Sequence, residues 1–337
     1  MWRLVCGDET GLLKVVDVKS SATRLVSTSC SQARSRGVKA LAQRFDGQFL
    51  CARASGELET WEEAAAGFED DAWELVASCP GLVGECVGLG CVDEAVVSCS
   101  DDGRVQVTSG ATSSAGDRST FDVEGSVSAF DCREGLVAVG GREHELSVWD
   151  LATSERRWRA RNVPNDKLDM RRPVFVGAAR FASDHELVIG TKYKELRVYD
   201  ARAQRRPVAE TVEAMDHAVR QLILLGGDRA LVGDVAGNVV TFDLKKLRVV
   251  ERLVGPAGST RALARHPSID TFVAAAGLDR HCHVWDTTRR DKTPIASVYC
   301  MQRLNALLWL PDRPAAKLDN QEEEEEEEGS FDADSVV

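Results

Sequence analysis

The chain has 337 residues, 43% hydrophobic and 28% charged, a balance that supports a sizeable buried core and excludes disorder along most of its length. Its formal net charge is −12, but residues 317–337 hold ten acidic side chains (Asp319, Glu322 to Glu328, Asp332, Asp334) against one Lys, a local −9 that leaves the body near −3. No apolar run approaches the ~20 residues that a membrane span needs, and Met1-Trp2-Arg3-Leu4-Val5-Cys6-Gly7-Asp8 meets acid before a signal-peptide core can form, so the expectation is a soluble, intracellular protein.

In chain order, one phrase recurs: a turn residue, six positions, then a bulky residue that is usually followed by Asp. The copies centre on Val16-Asp17, Trp61-Glu62, Thr108-Ser109, Trp149-Asp150, Tyr199-Asp200, Phe242-Asp243 and Trp285-Asp286, spaced 45, 47, 41, 50, 43 and 43 residues apart. Four short strands and their turns consume roughly 40 to 45 residues in a propeller blade, so the period predicts seven blades, each with strands a to d. The first copy offers only b (Trp2 to Cys6), c (Leu12 to Asp17) and d (Thr23 to Thr28). The seventh reads in full as Thr260 to Arg265, Thr271 to Ala275, His281 to Trp285 and Ile295 to Tyr299, separated by Gly, Pro and Asp. One further run, Leu304 to Leu310, supplies the missing strand a, so the last strand is expected to pair with the first three and close the ring without an open edge. Truncation before Leu304 should open it. The expected division is a propeller over residues 1–312 and an acidic, extended tail over 313–337.

These phrases resemble WD repeats, with Gly277-Leu278-Asp279 followed by Val284-Trp285-Asp286 the clearest copy and Leu146-Ser147-Val148-Trp149-Asp150 the next. In good WD repeats the turn Asp, here Asp279, bonds a His placed before strand a and the strand-c Trp. No Gly-His pair precedes strand a in this chain, which predicts an incomplete network and blades that lean on packing. Two further segments, Arg159 to Asp169 and Arg197-Val198-Tyr199-Asp200 with Gln204-Arg205-Arg206-Pro207-Val208, resemble the signature of a family of nucleolar WD-repeat ribosome-assembly factors, WD-repeat-containing protein seventy-four in animals and its fungal NOP-seven-associated counterpart. Gly140 to Glu143 and Gly258 to Ser268 are similar to the same family. The resemblance implies maturation of the large ribosomal subunit, docking on nucleolar precursors beside other assembly factors as one monomer of a larger complex, and release by an AAA-type ATPase. Animal members end in a basic tail, whereas this chain ends in the glutamate run.

Because strands alternate in direction, the b–c and d–a loops leave one face of a propeller and the a–b and c–d loops the other. Residues 162–172 then form a long d–a connection between blades four and five, and they share a face with the b–c turns Arg142 to Glu145 and Thr191 to Lys194. Arg205, Arg206 and Pro207, in a c–d loop, are expected on the opposite rim. Residues 142–206 hold 15 Lys or Arg against 10 Asp or Glu, and a cationic sector can meet rRNA phosphate or an acidic protein groove, Arg through two hydrogen bonds at once. The candidate partner-binding residues are Arg142, Glu143, Arg161, Asn162, Asn165, Asp166, Arg171, Arg172, Lys192, Tyr193, Arg205 and Arg206.

The other conspicuous residues read as scaffold. His281 and His283 share one strand face while Cys282 points to the other, so three metal ligands cannot converge. The ten cysteines show no C-x-x-C spacing and mostly sit singly in apolar runs, as buried reduced thiols do. No G-x-S-x-G, Walker loop, G-x-G-x-x-G or H-E-x-x-H occurs, so neither enzyme activity nor a cofactor is expected. The competing reading is a general WD-repeat adaptor, such as a ubiquitin-ligase substrate receptor or a chromatin-complex subunit.

Overall fold

Each of the seven periods folds into one four-stranded antiparallel sheet. The computed structural model describes residues 2–26, 32–44, 47–63, 73–81, 84–93, 95–109, 118–165, 167–226 and 228–311. Ser27 and Thr28 of the expected first d strand, Asp166 and the expected acidic tail lie outside them.

The inner strands a of blades two to seven are Val38–Gln43, Cys86–Val92, Ala129–Arg133, Val176–Phe181, Val219–Leu225 and Thr260–Arg265. The c strands that carry the repeat phrase, from blade one to blade seven, are Leu13–Asp17, Glu57–Glu63, Arg104–Thr108, His144–Asp150, Leu196–Asp200, Val239–Asp243 and His281–Asp286. Blade one closes as expected: Leu304–Trp309 pairs antiparallel with Arg3–Asp8, with Leu4 opposite Trp309 and Cys6 opposite Leu307. Leu310 N–H extends the seam by donating to Arg3 O at 2.9 Å.

Packing lies between blades. Successive strand residues face opposite neighbours, so Leu4 joins an apolar cluster shared with blade seven while Val5 joins one shared with blade two. Seven such clusters fill the seven junctions. Among the described residues nine cysteines are free, and Cys6, Cys51, Cys99, Cys282 and Cys300 are buried among these apolar side chains.

Buried polar contacts add to the packing on which the blades are expected to lean. Two residues before the bulky residue of each phrase stand Lys14, Glu59, Gln106, Ser147, Arg197, Val240 and His283, all buried, and six of the seven are polar. Burying a polar group without a partner costs ~1–3 kcal/mol or more, and each of the six has one. Lys14 Nζ lies 3.3 Å from Asp8 Oδ2. Glu59 accepts from Arg53 at 2.6 Å and from the Trp61 indole at 2.9 Å. Gln106 donates to Thr108 Oγ1 at 3.0 Å, and Ser147 Oγ accepts from the Trp149 indole at 3.0 Å. In blade seven the turn Asp279 does find a histidine, but it is His283 of strand c, at 2.8 Å. Ala257 N–H also donates to the Asp279 carboxylate, at 3.3 Å. Cys282 turns into the core beside Cys6 and Cys300, which confirms that the His-Cys-His triplet is split across two strand faces.

Candidate docking surface

On the face that carries the b–c and d–a loops, blades four and five bring three segments together. Arg142 makes an isolated antiparallel bridge to Phe175, near the end of the long connection. Glu143 N–H donates to Val174 O at 2.9 Å, and Lys192 N–H donates to Phe175 O at 2.9 Å. Backbone bonds therefore stitch one connection to both neighbouring turns. Within the connection, Asn162 Nδ2 donates to Arg172 O at 2.7 Å, and Asn165 Nδ2 donates to Asp169 Oδ1 at 2.9 Å. Arg171 reaches Glu143 across the junction at 3.2 Å.

Beneath these segments lies an ionic cluster that the sequence reading did not identify. Arg197 is 1% exposed; its Nη2 lies 2.7 Å from Glu195 Oε2 and its Nε 3.1 Å from Glu210 Oε1. Arg172 enters from above, bonding Glu195 and, at 2.7 Å, Glu210. Two guanidiniums thus balance two carboxylates in a site largely closed to water, the arrangement in which a buried charge is tolerated. Burial alone would lower the Arg172 pKa, but its bonds to Glu210 and Glu195 outweigh that and raise it. Nearby, burial raises the Glu145 pKa, against the pull of Arg197, Arg171 and Arg159.

The candidate residues accordingly divide. Arg142, Glu143, Arg161, Asn165, Arg171, Tyr193, Arg205 and Arg206 are exposed, whereas Asn162, Arg172 and Lys192 are half-buried and bonded internally. Lys192 Nζ donates to Val219 O at 2.9 Å, and its pKa is lowered to about 8, chiefly by burial and then by Arg220. Asp166 lies outside the described residues. The placement of Arg205 differs from expectation. Its loop leaves on the opposite face but doubles back along the circumference, where Arg161 N–H donates to Arg205 O at 2.7 Å and Arg205 Nε donates to Arg159 O at 2.8 Å. A long c–d loop has enough chain to do this; strand alternation fixes only where it departs.

The surface also carries apolar groups, the expected Tyr193 and, beyond the expectation, Leu168 and Met170. Leu168 is 76% exposed, Met170 56% and Tyr193 44%, all on the same two loops as Arg171 and Lys194. Apolar side chains interleaved with arginine on a stitched loop suit a protein partner, since aromatic, Met and Arg side chains are enriched at interface cores. The visible signal was the Leu168-Asp169-Met170 stretch, apolar positions inside an otherwise polar connection.

No protein-family model matches the chain. It is 32% identical over 312 residues to WD repeat-containing protein 74 of Bos taurus, covering 90% of this chain and 79% of that one, and 31% identical over 315 residues to the Homo sapiens protein of the same name. It is 24% identical over 366 residues to the ribosome biogenesis protein nsa1 of Schizosaccharomyces pombe, covering 95% and 92% of the two chains. Among solved structures, the WD40 β-propeller domain of Doa1 superposes with a TM-score of 0.64 at 14% identity, over 79% of this chain and 83% of that one, a likeness of fold alone. With its seven closed blades and these relatives along most of its length, the chain belongs to the family of WD repeat-containing protein 74 and fungal ribosome biogenesis protein NSA1.

Proposed function

We propose that this chain is a non-enzymatic scaffold in ribosome biogenesis that docks on nucleolar precursors of the large subunit through the loop face of blades four and five. The single observation that carries this reading is the stitched connection: bonds from Glu143 and Lys192 to Val174 and Phe175 hold an arginine-rich, partly apolar loop on a rigid ring. A preorganised surface loses little entropy on binding, which is what a docking role requires. Related proteins named for ribosome biogenesis support the assignment of process.

In this reading Arg142, Arg161 and Arg171 meet carboxylates of assembly factors or the phosphate backbone of precursor rRNA, while Leu168, Met170 and Tyr193 supply apolar contact. Release by an AAA-type ATPase follows from the family resemblance. The test is gradient sedimentation of the tagged full chain from cells, with mass spectrometry of what co-purifies. Co-migration with large-subunit precursors and assembly factors is the expected result. A chain confined to light fractions, or found with ubiquitin-ligase or chromatin-complex subunits, would overturn the reading in favour of a general adaptor.

A further inference from the structure

Six of the seven inner strands begin with an irregularity. Pairing between strands a and b skips one residue at Lys39 in blade two, Val87 in blade three, Gly177 in blade five, Arg220 in blade six and Arg261 in blade seven. In blade one the register passes from Leu304 to Ala306 and skips Asn305, and in blade four Ser128 stands just ahead of strand a. A bulge re-aims the extra side chain. These seven residues line one cavity of about 320 Å³ on the axis of the ring, at the end where the d–a loops arrive.

Three of the ring residues are cationic and none is acidic. Lys39 is paired with Glu85, a carboxylate that also lines the cavity. Arg261 is steered by a bond from Nη1 to Asn305 Oδ1, and Asn305 is itself fixed by donating to Val38 O at 3.0 Å. Among the described residues the Arg220 side chain has neither a hydrogen-bond nor an ion-pair partner, and it lines the cavity. At the Gly177 position the ring has no side chain, and Lys192 fills the gap: its Cε and Nζ lie 2.9 and 3.1 Å from where a Cβ would stand. Lys192 is bonded to a carbonyl rather than an acid. A nearby carboxylate, Glu9, is shared with Arg303 at 3.8 Å. The pKa values of Lys192 and Arg261 are both lowered, first by burial and next by Arg220. Blades five, six and seven thus crowd three like charges at their mutual cost, and an anion between them would relieve it.

We propose that this end of the channel is a binding site for a phosphate group, held by Arg220 and Arg261 with Lys192 behind them. A phosphate offers three oxygens and close to two negative charges to donors converging from three blades, whereas a carboxylate offers two oxygens and one charge. The site stands on the channel geometry alone and does not depend on the ribosomal role. The same chemistry can come from the terminal phosphate of a nucleic acid or from a free phosphate compound.

The experiment is calorimetric titration of the full chain with pyrophosphate in a low-salt, phosphate-free buffer, repeated with Arg220→Gln, Arg261→Gln and the distant control Lys246→Gln. Thermal melts check that each variant folds. The site predicts binding that weakens at least tenfold in the first two variants and less than twofold in the control. A fluorescent ten-nucleotide oligouridylate that carries a 5′-phosphate then separates the sources. RNA that is displaced by pyrophosphate identifies a nucleic-acid site, and pyrophosphate binding without RNA competition identifies a free phosphate ligand; both support the assignment. Failure of pyrophosphate to bind, binding indifferent to Arg220 and Arg261, or equal displacement by a glutamate decapeptide would overturn it.

Discussion

Replacing Trp309 by Ala tests the closure of the ring where it is made. Trp309 is 3% exposed, packs edge-on to His266 with ring centres 4.8 Å apart, and donates its indole N–H to Ala264 O at 3.3 Å. It thus sits on the last strand while its contacts lie in blade seven, and its backbone pairs with Leu4 of blade one. Truncating a buried Trp to Ala costs about 4 kcal/mol once the cavity is included. With an unfolding entropy of ~2.1 cal/mol/K per residue over roughly 300 residues, that corresponds to a fall in Tm of about 6 °C. Location of the damage is the sharper readout. Amide hydrogen exchange should accelerate first along Leu4 to Cys6 and Ala306 to Leu308, because the lost side chain packs the closing sheet against blade seven. Phe242→Ala, at a site 1% exposed in the blade five–six junction, should lower Tm comparably and leave the seam protected. Equal acceleration around the ring in both variants would refute the reasoning.

Arg172→Ala should cost about 2 kcal/mol in urea unfolding, less than for a fully buried pair because the Arg172 side chain is 24% exposed; Arg171→Ala, at 63% exposed, should cost under about 0.5 kcal/mol, and equal losses would contradict the division between them. Burial holds His144 below its ordinary pKa of 6.5, so as pH falls below 6.5 the unfolded chain takes up a proton that folded His144 refuses, and stability declines. Urea midpoints at pH 7.5 and 5.5 should show that decline, and His144→Gln should flatten it; an unchanged slope would dismiss the contribution. Burial pushes the Cys86 and Cys132 thiols up to about 12 and Cys91 to about 11, so iodoacetamide at pH 8 should label them only after unfolding, and rapid labelling of the native chain would contradict their burial.

The blade count and the closing strand were legible because both follow from periodicity. A bulky residue every 41 to 50 positions and an unpaired apolar run at the end admit few other folds. Partner choice was not legible, because a charged side chain carries no mark of what it bonds. Arg172 and Arg171 are neighbours in sequence, yet one closes a buried cluster and the other faces solvent. Arg197 offered more: it shares one strand face with Tyr199, which occupies the core position of the repeat, so both turn inward, and Glu195 stands just ahead of the strand. Arg205 lies away from its expected rim because strand alternation fixes where a loop departs, not where it ends. The ring of bulged residues escaped notice because a skipped pairing shifts no residue type and leaves no trace in hydrophobic alternation.

The central claim is that the stitched loops of blades four and five form the surface by which the chain joins its assembly. The direct measurement is the sedimentation profile of Arg142→Glu, Arg161→Glu and Arg171→Glu combined, three exposed positions outside the buried cluster. The account predicts a shift from precursor fractions to light fractions with an unchanged thermal melt, and a folded triple variant that still co-migrates with precursors as the wild type does would contradict it.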